Sequence, residues 1–271
     1  MFNRLQIAAR YVLYKMRAAN GKGHGIHSPF IFDFVKNVLN DKRHYYAFDK
    51  IEMLREELLS DKTLIMISDH GAGSAGSNQL QRSVSSIVKT AAKSTPLARL
   101  LFRIVAYYQL EKILELGTSL GLSAAYMAAA RPDSIIKTIE GSEQVSKKAR
   151  ENLQQLTLNN VEVITGIFDE ILPSVLLQMK QVDCVFIDGN HRLQPTLQYF
   201  HQVLPFTNKN SLLIFDDIHW SYEMEQAWDE IKTHHAVTCT VDLFFLGIVF
   251  FREEFKVPQH FTIRYKHFKI I

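Results

Sequence analysis

Three aspartates at the ends of two apolar runs carry a strong chemical signal. The first run is Val185-Phe186-Ile187-Asp188-Gly189-Asn190-His191. The second is Leu213-Ile214-Phe215-Asp216-Asp217-Ile218-His219-Trp220. If both runs are neighbouring buried strands, Asp188, Asp216 and Asp217 meet at one edge of a sheet. Carboxylates so gathered repel one another unless a cation or hydrogen-bond donors compensate. Hard oxygen ligands suit Mg²⁺, Ca²⁺ or Mn²⁺, and His191 or His219 could join them. A divalent ion there would lower the pKa of a bound hydroxyl and fix its oxygen in place. The plainer alternative has one Asp capping the following helix and another accepting loop amides.

A second signal lies upstream, in Ile113-Leu114-Glu115-Leu116-Gly117-Thr118-Ser119-Leu120-Gly121-Leu122-Ser123. It reads as a buried strand that breaks at a glycine, turns, and opens a helix. The next apolar run, Ile135–Ile139, ends in Glu140, an acid placed to accept two ribose hydroxyls. Together these features build a nucleoside-cofactor pocket at the carboxyl edge of a parallel sheet. The dinucleotide pattern G-x-G-x-x-G is absent, because Ser119 stands two after Gly117. No Gly-Lys-Ser/Thr follows, so the turn is not a phosphate loop either.

Positioning such groups requires regular alternation, and from residue 111 the chain has it. Strands are expected at Lys112–Leu116, Ile135–Ile139, Val161–Thr165, Val182–Ile187 and Leu212–Phe215. Helices between and after them are expected at Leu120–Ala130, Ser142–Leu156, Ile171–Met179, Leu193–Leu204 and Tyr222–His234. Val237–Leu243 and Gly247–Phe251 then form an antiparallel pair, with Phe261–Tyr265 near the same edge. This pattern predicts an α/β doubly wound, mostly parallel sheet. Residues 1–100 differ. Helical spacing appears at Phe30–Leu39, with Ser28-Pro29 as its start, and at Ile51–Leu59, Ser83–Ala92 and Leu97–Tyr108. Thr63–Ile67 is β-like and leads into a glycine-rich stretch from Ser68 to Asn78. The division expected is a helical cap over 1–100 and a main domain over 101–271. His24, His27, Asp69 and His70 are polar groups among turns, either part of a substrate lid or loop residues without a catalytic role. Residues 3–17 fit an amphipathic surface helix or, more simply, a helix packed on its own domain.

Bulk properties narrow the field. The chain has 271 residues, 47% of them hydrophobic, and a formal charge of +3. That suits one large domain or one plus a smaller one, and gives no nucleic-acid footprint. Cys184 and Cys239 lie in apolar runs and read as buried thiols, which points to a reducing, cytoplasmic setting. No run is long and apolar enough for a membrane span.

Glu115-Leu116-Gly117-Thr118-Ser119-Leu120-Gly121 resembles the first motif of the class I S-adenosylmethionine-dependent methyltransferases, and the likeness extends over residues 110–252. The resemblance implies a Rossmann-like, seven-stranded, mostly parallel sheet with an antiparallel last strand. It implies cofactor contacts from Glu115, Gly117, Thr118, Ser119, Gly121, Ser123, Glu140, Gly141, Phe168 and Asp188. Within these, Gly117–Gly121 would wrap the methionine part, and Gly166-Ile167-Phe168-Asp169 would border the adenine.

The acidic tips are similar to those of metal-dependent small-molecule O-methyltransferases of the catechol, caffeoyl-coenzyme A and antibiotic-sugar types. By that resemblance Asp188, Asp216 and Asp217 hold Mg²⁺ or Ca²⁺, with Asp217 standing where Asn is usual. His191 occupies the place of a basic lysine and becomes, with Asp188, the candidate catalytic group. The implied acceptor is a small hydroxylated molecule, with a homodimer left open. Two other readings stand beside it: a metal-independent methyltransferase acting on a protein, RNA or other acceptor, and a non-catalytic cofactor-binding protein.

Overall fold

The computed structural model describes residues 1–19, 21–23, 27–67 and 81–265. His24, Asp69, His70 and the glycine-rich stretch from 68 to 78 lie outside them. In chain order the helices are α1 (Arg4–Arg17), α2 (Pro29–Phe34), α3 (Tyr46–Ser60), α4 (Val84–Ala91), α5 (Thr95–Tyr108), α6 (Leu122–Ala130), α7 (Glu143–Gln155), α8 (Phe168–Met179), α9 (Leu193–Val203) and α10 (Tyr222–Thr233). The strands are β1 (Leu64–Met66), β2 (Gln81–Ser83), β3 (Lys112–Leu116), β4 (Ile135–Glu140), β5 (Val161–Thr165), β6 (Cys184–Ile187), β7 (Leu212–Asp216), β8 (Cys239–Asp242), β9 (Leu246–Phe250) and β10 (Gln259–Thr262). The main sheet has eight strands where seven were expected. The extra strand is β10, which pairs parallel to β8 at the edge. The reversed strand is β9, antiparallel to both β7 and β8, and it is the last of the seven strands that the sequence predicts.

The chain divides into two compact units, residues 42–179 and residues 1–41 with 180–271. In the unit 42–179, β3, β4 and β5 run parallel, with Leu116 opposite Ile139 and Glu140 opposite Thr165. The last four residues of β3 are all buried, as a parallel strand covered on both faces requires. Helices α3, α5 and α6 share one apolar core. Phe48 meets Phe102 edge-on at 4.9 Å and Tyr126 at 5.6 Å. Offset and edge-on aromatic contacts each add about 1 kcal/mol beyond simple burial. Helix α5 starts with Pro96 in its first turn and stops at Gln109, which is left-handed at φ +54°.

In the other unit, β6 and β7 pair parallel with Ile187 opposite Phe215. Both strands are buried throughout. Helix α2 begins as its sequence dictates: the Ser28 side chain accepts from the Ile31 amide and Pro29 takes the first position. It continues as a π-helical turn over Val35–Leu39. Helix α10 starts at Ser221, whose hydroxyl accepts from the Met224 amide, with Glu223 and Glu225 in its first turn. Helix α1 lays Tyr11, Tyr14 and Ala18 against Phe244, with Ile7 and Phe245 alongside.

Candidate functional site

The donor side is built in the unit 42–179. Strand β3 ends at Leu116, and the chain then turns through Gly117 at φ +104° and Gly121 at φ +81°. Only glycine adopts these values without strain. Gly121 also caps α6, and a Cβ there would sit 3.4 Å from that of Ala149. The turn is pinned from two sides. Gly117 and Thr118 donate their amides to the Ile139 carbonyl, and the Asn152 side chain donates to the Leu120 carbonyl. Glu140, at the tip of β4, accepts the Ser119 amide at 2.9 Å and the Ser142 amide at 3.0 Å, one on each oxygen. These amides fix the carboxylate's orientation. A carboxylate offers about four acceptor positions, so this anchoring is compatible with donors from a ribose.

Glu115 is fully buried, and burial pushes its carboxyl up to about 7. Thr138 donates to its Oε2 at 2.6 Å, and Thr118 and Thr138 share a hydrogen bond of 2.6 Å. Its Oε1 lacks a partner of good geometry, although nearby Ser123 favours the ionised form. An inward-facing carboxyl oxygen beneath a glycine turn is a fit for the ammonium group of an amino-acid moiety. The supporting pair Thr118 and Thr138 was not evident from the sequence as a relay. The only trace was strand alternation, which turns Glu115 and Thr138 to the same face at paired positions. After β5, Gly166 donates its amide to the Glu140 carbonyl, and Phe168 opens α8 partly buried.

The acidic side is built in the other unit. The register of β6 and β7 carries Asp188 and Asp216 to adjacent strand tips. A turn through Asn190, left-handed at φ +52° and held by its side-chain bond to the Tyr199 hydroxyl, brings His191 back towards them. His191 Nε2 lies 3.7 Å from Asp188 Oδ1. Among the described residues, Asp188, His191 and Asp216 form the group able to hold a metal ion, with one ligand atom from each within 4.8 Å of the others. Asp216 is almost wholly buried. Two carboxylates and an imidazole fit a divalent cation of intermediate hardness such as Mn²⁺, and a Mg²⁺ that tolerates one nitrogen ligand.

This set differs from the expected Asp188, Asp216 and Asp217. Asp217 stands one residue past the strand at φ +53°, its amide donating to the Phe245 carbonyl at 2.7 Å. Among the described residues Asp217 is outside the group, and His191, which the sequence offered as a further ligand, is in it. His219 does not join either. Its Nε2 meets Asp242 at 2.9 Å, its Nδ1 meets Glu225 at 3.2 Å, and its ring stacks on Phe244. Burial alone would lower its pKa, but the two carboxylates raise it to about 9. It is therefore an imidazolium tying a loop to β8 and α10. Trp220, partly exposed, follows in the same loop, its carbonyl accepting the Phe2 amide.

Residues 114–218 match the family described as methyltransferase domain. The catechol O-methyltransferase of Niastella koreensis is 30% identical over 113 residues, which is 41% of this chain and 50% of that protein. The chain thus spans about half the length of that relative. Among solved structures, the O-methyltransferase TomG from Streptomyces achromogenes, involved in tomaymycin synthesis and solved with SAM, superposes at a TM-score of 0.56. It is 19% identical and covers 78% of this chain and 91% of its own. An O-methyltransferase from Bacillus cereus in complex with SAH gives 0.53 at 18% identity, covering 82% and 97%. At these identities the likeness is one of fold alone.

Proposed function

We propose that this chain, with a methyltransferase domain of the class I fold at residues 114–218, transfers a methyl group from S-adenosylmethionine to a hydroxyl of a small molecule, assisted by a divalent cation. The observation that carries the reading is the gathering of Asp188, His191 and Asp216 at two strand tips. It stands with a glycine turn and an anchored acid, Glu140, suited to a nucleoside methyl donor. The donor supplies an electrophilic methyl on sulfur, which passes to the acceptor oxygen and leaves S-adenosylhomocysteine.

The residues divide the work. Gly117–Gly121 and Ser123 surround the methionine part, with Glu115 beneath it. Glu140 and Gly141 take the ribose, and Phe168 borders the base. Asp188 and Asp216 hold the cation, which would lower the pKa of an acceptor hydroxyl. His191 takes the proton, and its neighbour Asp188 stabilises the imidazolium so formed.

The test is methyl transfer from labelled S-adenosylmethionine to a panel of hydroxylated small molecules, run with chelator and then with Mg²⁺ or Mn²⁺ restored. Transfer that falls with chelator and returns with the ion supports the reading. Transfer indifferent to chelator removes the cation from it. Tight binding of S-adenosylhomocysteine with no transfer across the panel overturns the enzymatic reading.

A further inference from the structure

Helix α1 is apolar on two opposite faces. The inner face, Tyr11, Tyr14 and Ala18, is buried within its own unit. The outer face carries Leu5, Ala9, Val12, Leu13 and Met16, spaced i, i+4, i+7, i+8 and i+11, a helical stripe about 100° wide. These side chains are exposed: Leu5 by 82%, Met16 by 74%, Val12 by 55% and Leu13 by 50%. Beside the start of the helix, Met1 and Tyr222 are also exposed, and Tyr222 packs edge-on against Phe2. Nothing in the described chain covers this stripe.

Charge identifies what does. Arg4 and Lys15 line one margin of the stripe and Arg17 the other, while Arg10 is paired with Glu225 of α10. Residues 1–32 contain five basic side chains and no Asp or Glu. The chain has 31 Lys and Arg against 28 Asp and Glu, so the remainder carries 26 against 28 and is net −2. The first 32 residues thus carry the positive excess of the chain, and Arg4, Lys15 and Arg17 among them flank the exposed apolar face of α1. A second copy is the poorer occupant. A two-fold pairing of the stripes would bring basic margins together with no carboxylate on either helix to offset them.

We propose that the outer face of α1 docks the protein on an anionic lipid surface, its apolar stripe entering the headgroup boundary and its basic margins meeting lipid phosphates and carboxylates. No described helix is long and apolar enough to cross a membrane, so the contact is peripheral. This inference stands apart from the methyl-transfer reading, and its test needs no activity.

The full chain is mixed with vesicles of phosphatidylcholine alone, or with roughly one-third phosphatidylserine, and floated on a density gradient. The wild type should float with the anionic vesicles only, and less so as salt rises. The triple change L5Q/V12Q/M16Q removes the stripe. The double change R4Q/R17Q removes charge from both margins and leaves the apolar surface untouched. Each should lower partition on the order of tenfold or more, at about fivefold per charge for the second, with an unchanged far-UV spectrum and melting temperature. A wild type that stays at the bottom of the gradient overturns the proposal. So does equal flotation of wild type and R4Q/R17Q, or a stripe variant whose main effect is to turn a dimer into a monomer in sedimentation.

Discussion

At the scale of single residues, the donor set around Asp188 sets the expectations. Asp216→Ala should abolish cation-stimulated transfer while the affinity for S-adenosylhomocysteine stays within about threefold, because Glu140 and the glycine turn belong to a separate set of contacts. Losing one charged ligand typically costs at least 10- to 100-fold in metal affinity. Calorimetry of cation and product binding reads both arms. His191→Gln separates two roles. As the base, it should lose roughly 10²- to 10⁴-fold in rate while cation affinity holds. A fall in cation affinity of similar size would instead make His191 a ligand. The Asp residues and the glycine turn were readable because acids and glycines at strand ends have few structural uses. That His191 could stand with Asp188 and Asp216 was readable too; that Asp217, one residue past the strand at φ +53°, is outside their group was not.

At the scale of elements, His219 shows how a loop is held. It joins the turn after β7 to Asp242 of β8 and Glu225 of α10, and Glu225 also receives Arg10 of α1 at 2.9 Å. Its folded pKa of about 9 lies above the usual 6.5. The stabilisation is therefore complete below pH 6.5 and is lost as pH rises through 9, by about 3 kcal/mol at most. His219→Gln should be less stable than wild type at pH 6, and the difference should close by pH 10, as urea melts at several pH values would show. A constant difference across that range would mean that the ring matters by packing alone. Most helix and strand positions were legible because hydrophobic period and caps act locally. The eighth main-sheet strand, β10, was legible only as a weak apolar run, since edge pairing is decided by what lies beside it.

At the scale of the whole molecule, global stability should fall with pH in two separate windows. Glu115 is neutral in the fold up to about 7, whereas in the unfolded chain it ionises near 4.5. Below pH 4.5 it exerts no effect. As pH rises from there to 7, the unfolded state gains by ionising first, and about 3 kcal/mol of stability is lost. His219 acts in the opposite chemical sense but in the same direction, between 6.5 and 9. Glu115→Gln should remove the lower window and leave the upper one, and His219→Gln the reverse. Denaturation midpoints against pH for the three proteins give the check. Parallel curves would show that neither group titrates on unfolding.

The amino-acid sequence by itself determined the alternation of strands and helices, the glycine turn with Glu140 downstream, and the two acidic strand tips. These depend on short-range rules: apolar period, glycine's backbone freedom, and the position of a polar residue at the end of a buried run. Tertiary structure decided the rest. Strand register placed Asp216 beside Asp188, and the packing of β8 and of the first turn of α10 gave His219 two carboxylates. It also decided which face of α1 is covered, because two apolar stripes on one helix are equivalent until a neighbouring strand and loop bury one of them.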